Sequence, residues 1–143
     1  MKQLNIGCGT KKLVGWINID KNPMHKPDLL RDIEKGLPFD DNSIDTILCE
    51  QTLEHIHDLV FVMNEFHRVL KPNKKLLISV PLITGKWAWI DPTHVNYFND
   101  SSFDFFMARD YNSEGAGVTG WFKGTHKDIK NDNMTLTLVK YKK

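Results

Sequence analysis

Apolar residues come in short runs along the first half of this chain, then once at helical spacing, then in an aromatic stretch and a closing alternation. Residues 3–6 and 16–20 predict two strands, and residues 28–33 a third, short one with an acid near its end. Residues 37–43 carry turn chemistry, and residues 44–49 form a fourth, mostly buried strand. From about Asp58, the residues Leu59, Val62, Met63, Phe66, Val69 and Leu70 fall at helical spacing, and Lys71-Pro72-Asn73 stops that helix. Residues 75–81 predict strand five. Residues 84–99 form an aromatic loop with Trp87, Trp89, Tyr97 and Phe98, followed by a short helix capped by Ser101 or Ser102 and running to about Arg109. Residues 121–129 and 134–141 predict two strands joined at Asn131-Asp132-Asn133. In the second of these, Leu136, Leu138 and Tyr141 oppose Thr135, Thr137 and Lys140. Parallel strands first and a hairpin last predict an α/β fold with one reversed strand.

Between the first two strands lies Gly7-Cys8-Gly9. Two close glycines after a strand let a ligand touch backbone that a side chain would block. Asp20, at the tip of the second strand, suits a vicinal diol such as a ribose. The pair points to a nucleoside cofactor at the carboxyl ends of a parallel sheet. A dinucleotide would ask for a third glycine and a later acid. Lys12 stands at the place of that glycine and Asp20 comes too early. A phosphate-free nucleoside cofactor, S-adenosyl-L-methionine, has no need of that glycine. The crossover is short: a βαβ connection takes at least about ten to twelve residues, and only residues 10–15 are free. Either it is about one helical turn or the two strands are antiparallel.

With 143 residues, 41% hydrophobic content and a net charge of +1, the chain predicts one domain, residues 1–143, with a modest core. Arginine is scarce (Arg31, Arg68, Arg109), so guanidinium forks for phosphate are few and nucleic acid is disfavoured. Lys140, Lys142 and Lys143 read as a solvated tail. Cys8 and Cys49 suit a reducing cytoplasm and make no disulfide or metal pattern. No membrane span or signal peptide is read from the sequence.

Leu4 to Gly9, Gly15 to Asp20, Leu37 to Asp45, Leu53-Glu54-His55, Arg68 to Pro72 and Val80-Pro81 match, in order, the motifs of a small subgroup of proteins. On these residues the chain resembles the class I S-adenosylmethionine-dependent methyltransferases, and Asp91 to Phe98 resembles a loop of that subgroup. The resemblance implies a Rossmann-like seven-stranded sheet in the order 3-2-1-4-5-7-6 with strand seven antiparallel and a shortened first crossover. It places Gly7, Cys8 and Gly9 under the methionine part of the cofactor, Asp20 on the ribose, Lys21 at the adenine edge and Asp32 and Ile33 against the adenine. Glu50 and Gln51 lie on the methionyl amine or sulfonium side. Asn73-Lys74 departs from the usual Gly-Gly. Strand one starts almost at the first residue, so the helices that often cover the cofactor are expected to be missing. The pocket is then open, or completed by a second copy or a partner subunit.

His94 lies in the loop after strand five and is a candidate general base, with Asp91 three residues away to orient it. The alternative is a loop-organising histidine held by Thr93 or a backbone carbonyl. Glu54-His55 matches part of a metal-holding E-x-x-E-H pattern of related enzymes, but Gln51 replaces the first glutamate, and an amide is a poorer ligand for a hard cation. No metal is therefore assigned; Glu54 capping the next helix and His55 packing behind strand four is the alternative, and His55 stays a catalytic candidate. The four loop aromatics line either an acceptor pocket or the core's lid. The expected activity is methyl transfer to an O- or N-nucleophile of a small-molecule or sugar acceptor. The alternatives are an inactive cofactor-binding subunit and a nucleic-acid or protein methyltransferase.

Overall fold

The computed structural model describes residues 1–107 and 111–141. Its strands are β1 (Gln3–Ile6), β2 (Ile17–Asp20), β3 (Leu29–Leu30), β4 (Ile44–Glu50), β5 (Leu70–Pro81), β6 (Phe122–Lys130) and β7 (Asn133–Lys140). The helices are α1 (Leu59–Val69), α2 (Trp87–Ile90) and α3 (Tyr111–Gly115). The strands form one sheet in the order β3-β2-β1-β4-β5-β7-β6. β7 runs antiparallel to both its neighbours, and the other pairings are parallel. This is the topology the sequence predicts.

β1 and β2 are parallel although no helix joins them. Two buried asparagines do the work of one. Asn5 and Asn18 face each other across the strands, and Asn5 Nδ2 donates to Asn18 Oδ1 at 2.9 Å. Asn5 Nδ2 also donates to the Lys11 carbonyl. Asn18 Oδ1 accepts from Leu13 N–H, and Asn18 Nδ2 donates to the Leu13 and Trp16 carbonyls. Buried polar groups must be paired, and here the pairing strings the crossover's own backbone along the sheet.

Asp28 is drawn into the same network, accepting from the Asn18 backbone at 2.9 Å and from its side-chain amide at 2.6 Å. That use of Asp28 shortens the third strand to Leu29–Leu30, against an expected span of residues 28–33. At the other end Asp32 turns into a cap: its Oδ1 accepts from Glu34 N–H at the head of a 3₁₀ turn, Ile33–Lys35.

α1 is capped by Asp58, whose Oδ1 accepts from Phe61 N–H, so the expected cap Glu54 is free for something else. Val62, Met63, Phe66 and Val69 are its buried face. They pack with Leu4, Ile6, Ile19, Ile47, Leu76, Ile78, Leu136 and Leu138 in one cluster. α1 ends at Val69, and the Lys71-Pro72-Asn73 turn becomes an outward irregularity between Leu70 and Lys75, with Asn73 at φ 62°.

The hairpin turns on Asn131 and Asp132, both at positive φ (51° and 59°), as its two-residue tip demands. Its inward residue near the end is Lys140, not Tyr141: Lys140 is 8% exposed and Tyr141 60%. Strict alternation from Leu136 and Leu138 puts residue 140 inside. Its ammonium donates to Asn42 Oδ1 (2.7 Å) and the Leu70 carbonyl (2.8 Å). Burial lowers its pKa.

Neither Ser101 nor Ser102 caps a long helix. Both are tied to an Asn99 turn before a 3₁₀ turn, Asp104–Phe106, that no side chain caps. The expected end at Arg109, and Lys142 and Lys143, lie outside the described residues.

Candidate active site

The site forms where the parallel strands end and their loops meet. Gly7 and Gly9 are both in the left-handed region, at φ 64° and 50°. The reasons differ. A methyl on Gly7 would stand 2.0 Å from Thr52 Oγ1, whereas one on Gly9 would meet no protein atom within 4 Å. Gly7 is thus required by the packing of the next loop, and Gly9 borders open space. That space consists of two clefts sharing Gly7, Gly9 and Gln51. One, of about 280 Å³, is walled by Asp20, Lys21, Asp32, Ile33, His55 and Ile56 among others. The other, of about 300 Å³, is walled by Asn5, Cys8, Leu13, Leu48 and Glu50 among others.

Asp20 anchors the loop as well as facing the first cleft. Its Oδ2 accepts from Gly9 N–H and its Oδ1 from Asn22 N–H, each at 2.8 Å. His25 Nδ1 lies 3.1 Å from Oδ2. Burial pushes its pKa up, but the Asn22 and Gly9 N–H groups outweigh this and hold the carboxyl below its ordinary value. A carboxylate has about four lone-pair sites, so acceptor capacity remains for a diol. Cys8 is buried, and burial raises its thiol pKa, which fits packing rather than nucleophilic chemistry. Glu50 is exposed on the second cleft. Gln51 sits at φ 47° and its amide donates to Ser79 Oγ and Asn133 Oδ1, away from the histidines.

The far wall of the first cleft is where the candidate bases gather. The loop after β5 is zipped to the Leu53-Glu54-His55 turn: Val95 and Asn96 N–H donate to the Glu54 carbonyl (2.8 and 3.0 Å), and Asn96 Nδ2 donates to the Leu53 and Ile56 carbonyls. This brings His55 and His94 edge to face, ring centres 4.7 Å apart. Asp91 Oδ1 accepts from Thr93 Oγ1 (2.6 Å) and Thr93 N–H (2.8 Å), and Thr93 Oγ1 is 3.0 Å from His55 Nδ1. Asp91 therefore reaches His55 through Thr93. Its distance to His94 Nε2 is 3.7 Å, too long for a hydrogen bond. His94 Nδ1 is held by the Ala88 carbonyl at 2.9 Å, and its side chain is 7% exposed. His55, not His94, lines the cleft.

Glu54 is 1% exposed, and its Oε2 has no hydrogen-bond partner. Burial pushes its carboxyl up to about 7. Burial and the neighbouring His94 lower the pKa of His55. One ligand atom each from Glu54, His55 and His94 lies within 4.8 Å of the others.

Of the four loop aromatics, only Phe98 is core, stacked on Phe103 at 5.3 Å. Trp87 and Trp89 are more than half exposed, and Trp89 stacks on Tyr97 at 4.5 Å. Sequence reasoning missed Thr52 and His25. Thr52 follows the Gln51 left-handed turn, which a close reading of Glu50-Gln51-Thr52 does not announce. His25 comes within reach of Asp20 at the end of the 3₁₀ turn Pro23–His25, which Asn22 caps.

Residues 4–78 match the methyltransferase domain family. The chain belongs to that family. A demethylmenaquinone methyltransferase of Listeria welshimeri is 31% identical over 101 residues, covering 68% of this chain and 42% of the relative. The chain thus spans about two fifths of the length of the curated relatives it matches. Among solved structures, a SAM-dependent methyltransferase from Methanosarcina mazei aligns with a TM-score of 0.69 at 15% identity, over 99% of this chain and 93% of that one. A putative methyltransferase in complex with the Trm112 activator of Haloferax volcanii aligns at 0.67 and 14% identity, over 99% and 82%. The family and the fold agree on S-adenosyl-L-methionine as the cofactor.

Among the described residues, no helix is long and apolar enough to cross a membrane.

Proposed function

We propose that residues 1–143 form one methyltransferase domain, acting in a reducing cytoplasm, that transfers the methyl of S-adenosyl-L-methionine to an O- or N-nucleophile of a small molecule. The observation that carries this reading is the paired cleft around Gly9, with Asp20 and Ile33 on one side and His55 on the far wall. The residues present suit the cofactor. Asp20 would take the ribose hydroxyls, Lys21, Asp32 and Ile33 the adenine, and Gly7, Cys8, Gly9, Glu50 and Gln51 the methionine arm. The cofactor supplies an electrophilic methyl on a sulfonium.

The chain's own residues supply position and a base. Holding the acceptor in line carries most of the rate. His55 is the base: Thr93 fixes one ring nitrogen, and its lowered pKa keeps it neutral, ready to take a proton from the acceptor, at pH 7. His94 packs against it and is held by a backbone carbonyl. Sugar acceptors remain within this class. The demethylmenaquinone relative supports a small-molecule acceptor.

The test is turnover of S-adenosylmethionine to S-adenosylhomocysteine with a metabolite panel, with calorimetry against S-adenosylhomocysteine and NAD. His55→Ala should slow turnover by roughly 10²–10⁴-fold with cofactor affinity kept. Tight NAD binding without a response to the adenosyl ligands would overturn the cofactor reading. Cofactor binding with no turnover on any acceptor would favour an inactive subunit serving a partner, a reading to which the activator-bound archaeal neighbour lends support.

A second reading of the far wall rests on the partnerless Glu54 carboxylate oxygen. Glu54, His55 and His94 offer a mixed carboxylate and imidazole set to a divalent ion. Gln51 is turned away and adds nothing to that set. Loss of activity on chelation, restored by added ion, would support it; indifference to chelators would remove it.

A further inference from the structure

The sheet has a covered face and a bare one. Side chains of Ile47, Cys49, Leu76, Ile78, Leu136 and Leu138 belong to the cluster that α1 covers. Their neighbours on the opposite face, Leu48, Leu77 and Val139, are only half-buried and are absent from that cluster and from the residues packed against it. Among the described residues the crossovers from β1 to β2 and from β2 to β3 contain no α-helix. Parallel sheets are found almost only with both faces covered.

Three ladders cross the bare face. The middle one reads Leu48, Leu77, Thr137, His126, and continues into Asn5, which the crossover buries. The ladder toward the carboxyl ends of the parallel strands reads Glu50, Ser79, Thr135, Asp128. The opposite ladder reads Gln3, Thr46, Lys75, Val139, Lys123. The face is therefore acidic at one end and basic at the other, with Leu48 and Leu77 between them, its charged ends about 13 Å apart at ~3.3 Å per residue. A two-fold axis lying across the strands lays each acidic end on the basic end of a second copy. A two-fold axis along the strands would set like on like. At ~4.8 Å between strands and ~3.3 Å per residue, the open part over β4, β5, β7 and β6 spans on the order of 400 Å² per copy. That is about half of the ~800 Å² per partner of a standard interface, so the charge complementarity carries the pairing.

We propose that a second copy of this chain packs on this face, sheet against sheet and strands reversed, and that it closes the cleft for the methionine arm of the cofactor. The link to the site is direct: Leu48 and Glu50 of the bare face are also walls of the cleft beside Gly7 and Gly9. The closure rests on the cofactor reading above; the interface itself does not.

The test is the mass in solution of the full chain, by light scattering and sedimentation over a wide concentration range, with S-adenosylhomocysteine affinity measured in parallel. Native protein should be a dimer. Leu77→Glu sets two carboxylates at the centre and should weaken association by roughly 30-fold or more. Lys123→Glu and Asp128→Lys lie on exposed positions and each should weaken it roughly tenfold, since the symmetry doubles every contact. The double reversal should restore it. Cofactor affinity should fall in each variant that is monomeric and return with the dimer. A native monomer at every concentration, a dimer indifferent to these substitutions, or a heteromer with an unrelated protein on this face would overturn the interface. Unchanged cofactor affinity in the monomeric variants would overturn the closure. A dimer behaving as expected with no adenosyl ligand bound would uphold the interface while the cofactor reading fell.

Discussion

Replacing Glu54 by glutamine should make the protein more stable at alkaline pH and leave it unchanged at acid pH. The side chain is 1% exposed and one carboxylate oxygen has no partner. Burial disfavours the charged form and raises its pKa from 4.5 to about 7. In the unfolded chain the group ionises near 4.5, so between 4.5 and 7 the folded state binds more protons than the unfolded one. Stability must therefore fall as pH rises across that window and level off above it. The span is 2.5 units from the same two values, which at 1.36 kcal/mol per unit gives a loss of about 3 kcal/mol, to order of magnitude. Glu54→Gln has no such cost. The assay is urea unfolding of native and variant protein at steps from pH 5 to 8.5 in the presence of a chelator. The difference between the two isolates Glu54 from His55, whose lowered pKa acts in the opposite sense as pH falls. The variant should match the native protein at pH 5 and exceed it by ~3 kcal/mol at pH 8. Parallel curves at every pH would show that Glu54 ionises freely and would refute the reasoning.

Asp20→Asn should weaken S-adenosylhomocysteine binding by roughly ten- to a hundred-fold, because charge-assisted hydrogen bonds worth ~1.5–3 kcal/mol are lost while the amide oxygen can still accept from Gly9 N–H; calorimetry showing an unchanged dissociation constant would reduce Asp20 to a loop anchor. Gly7→Ala should lower the melting temperature more than Gly9→Ala, since only the first methyl meets Thr52. Gly9→Ala should cost more in ligand affinity than in stability, and the reverse ranking would contradict the assignment of the cleft. Asn18→Ala should destabilise by about 2 kcal/mol, as the buried Asn5 amide loses its partner and Leu13 and Asp28 lose theirs; a cost below ~1 kcal/mol in chemical unfolding would mean water replaces the amide.

Much of the fold was legible because its strands and α1 obey the periods that burial imposes. The strand order was legible only through resemblance, since periodicity says nothing about which strands are neighbours. What escaped the sequence were polar residues in apolar positions. Asn5 and Asn18 look like surface members of alternating strands, and only their register shows them to be partners. Lys140 was read as solvated because lysine is rarely buried, though strand parity puts it inward. The site was half legible. Gly7, Gly9, Asp20, Asp32 and Ile33 follow chain order and line one cleft. The wall at His55 is less legible: His94 is turned to the Ala88 carbonyl, and Asp91 to Thr93, whose hydroxyl lies against His55. Those choices are set by the hydrogen bonds from Val95 and Asn96 to Glu54, contacts across some forty residues that no local pattern encodes.

The asparagine-for-helix exchange between β1 and β2 also bears on the order in which the chain assembles. Asn5 and Asn18 are 13 residues apart, whereas β1 meets β4 across the 43 residues from Gln3 to Thr46. Loop closure scales with the logarithm of length, so the first pairing is entropically cheaper by about 1 kcal/mol. The side-chain amides reward it at once, without a helix having to nucleate first. The glycine turn and the Asp20 contact that holds it then close ahead of the β1–β4 pairing. On this view Asn18→Ala slows refolding and leaves unfolding nearly unchanged, while a φ-value near zero there would place closure late. The loop that borders both clefts would then take its shape before the long-range strands arrive.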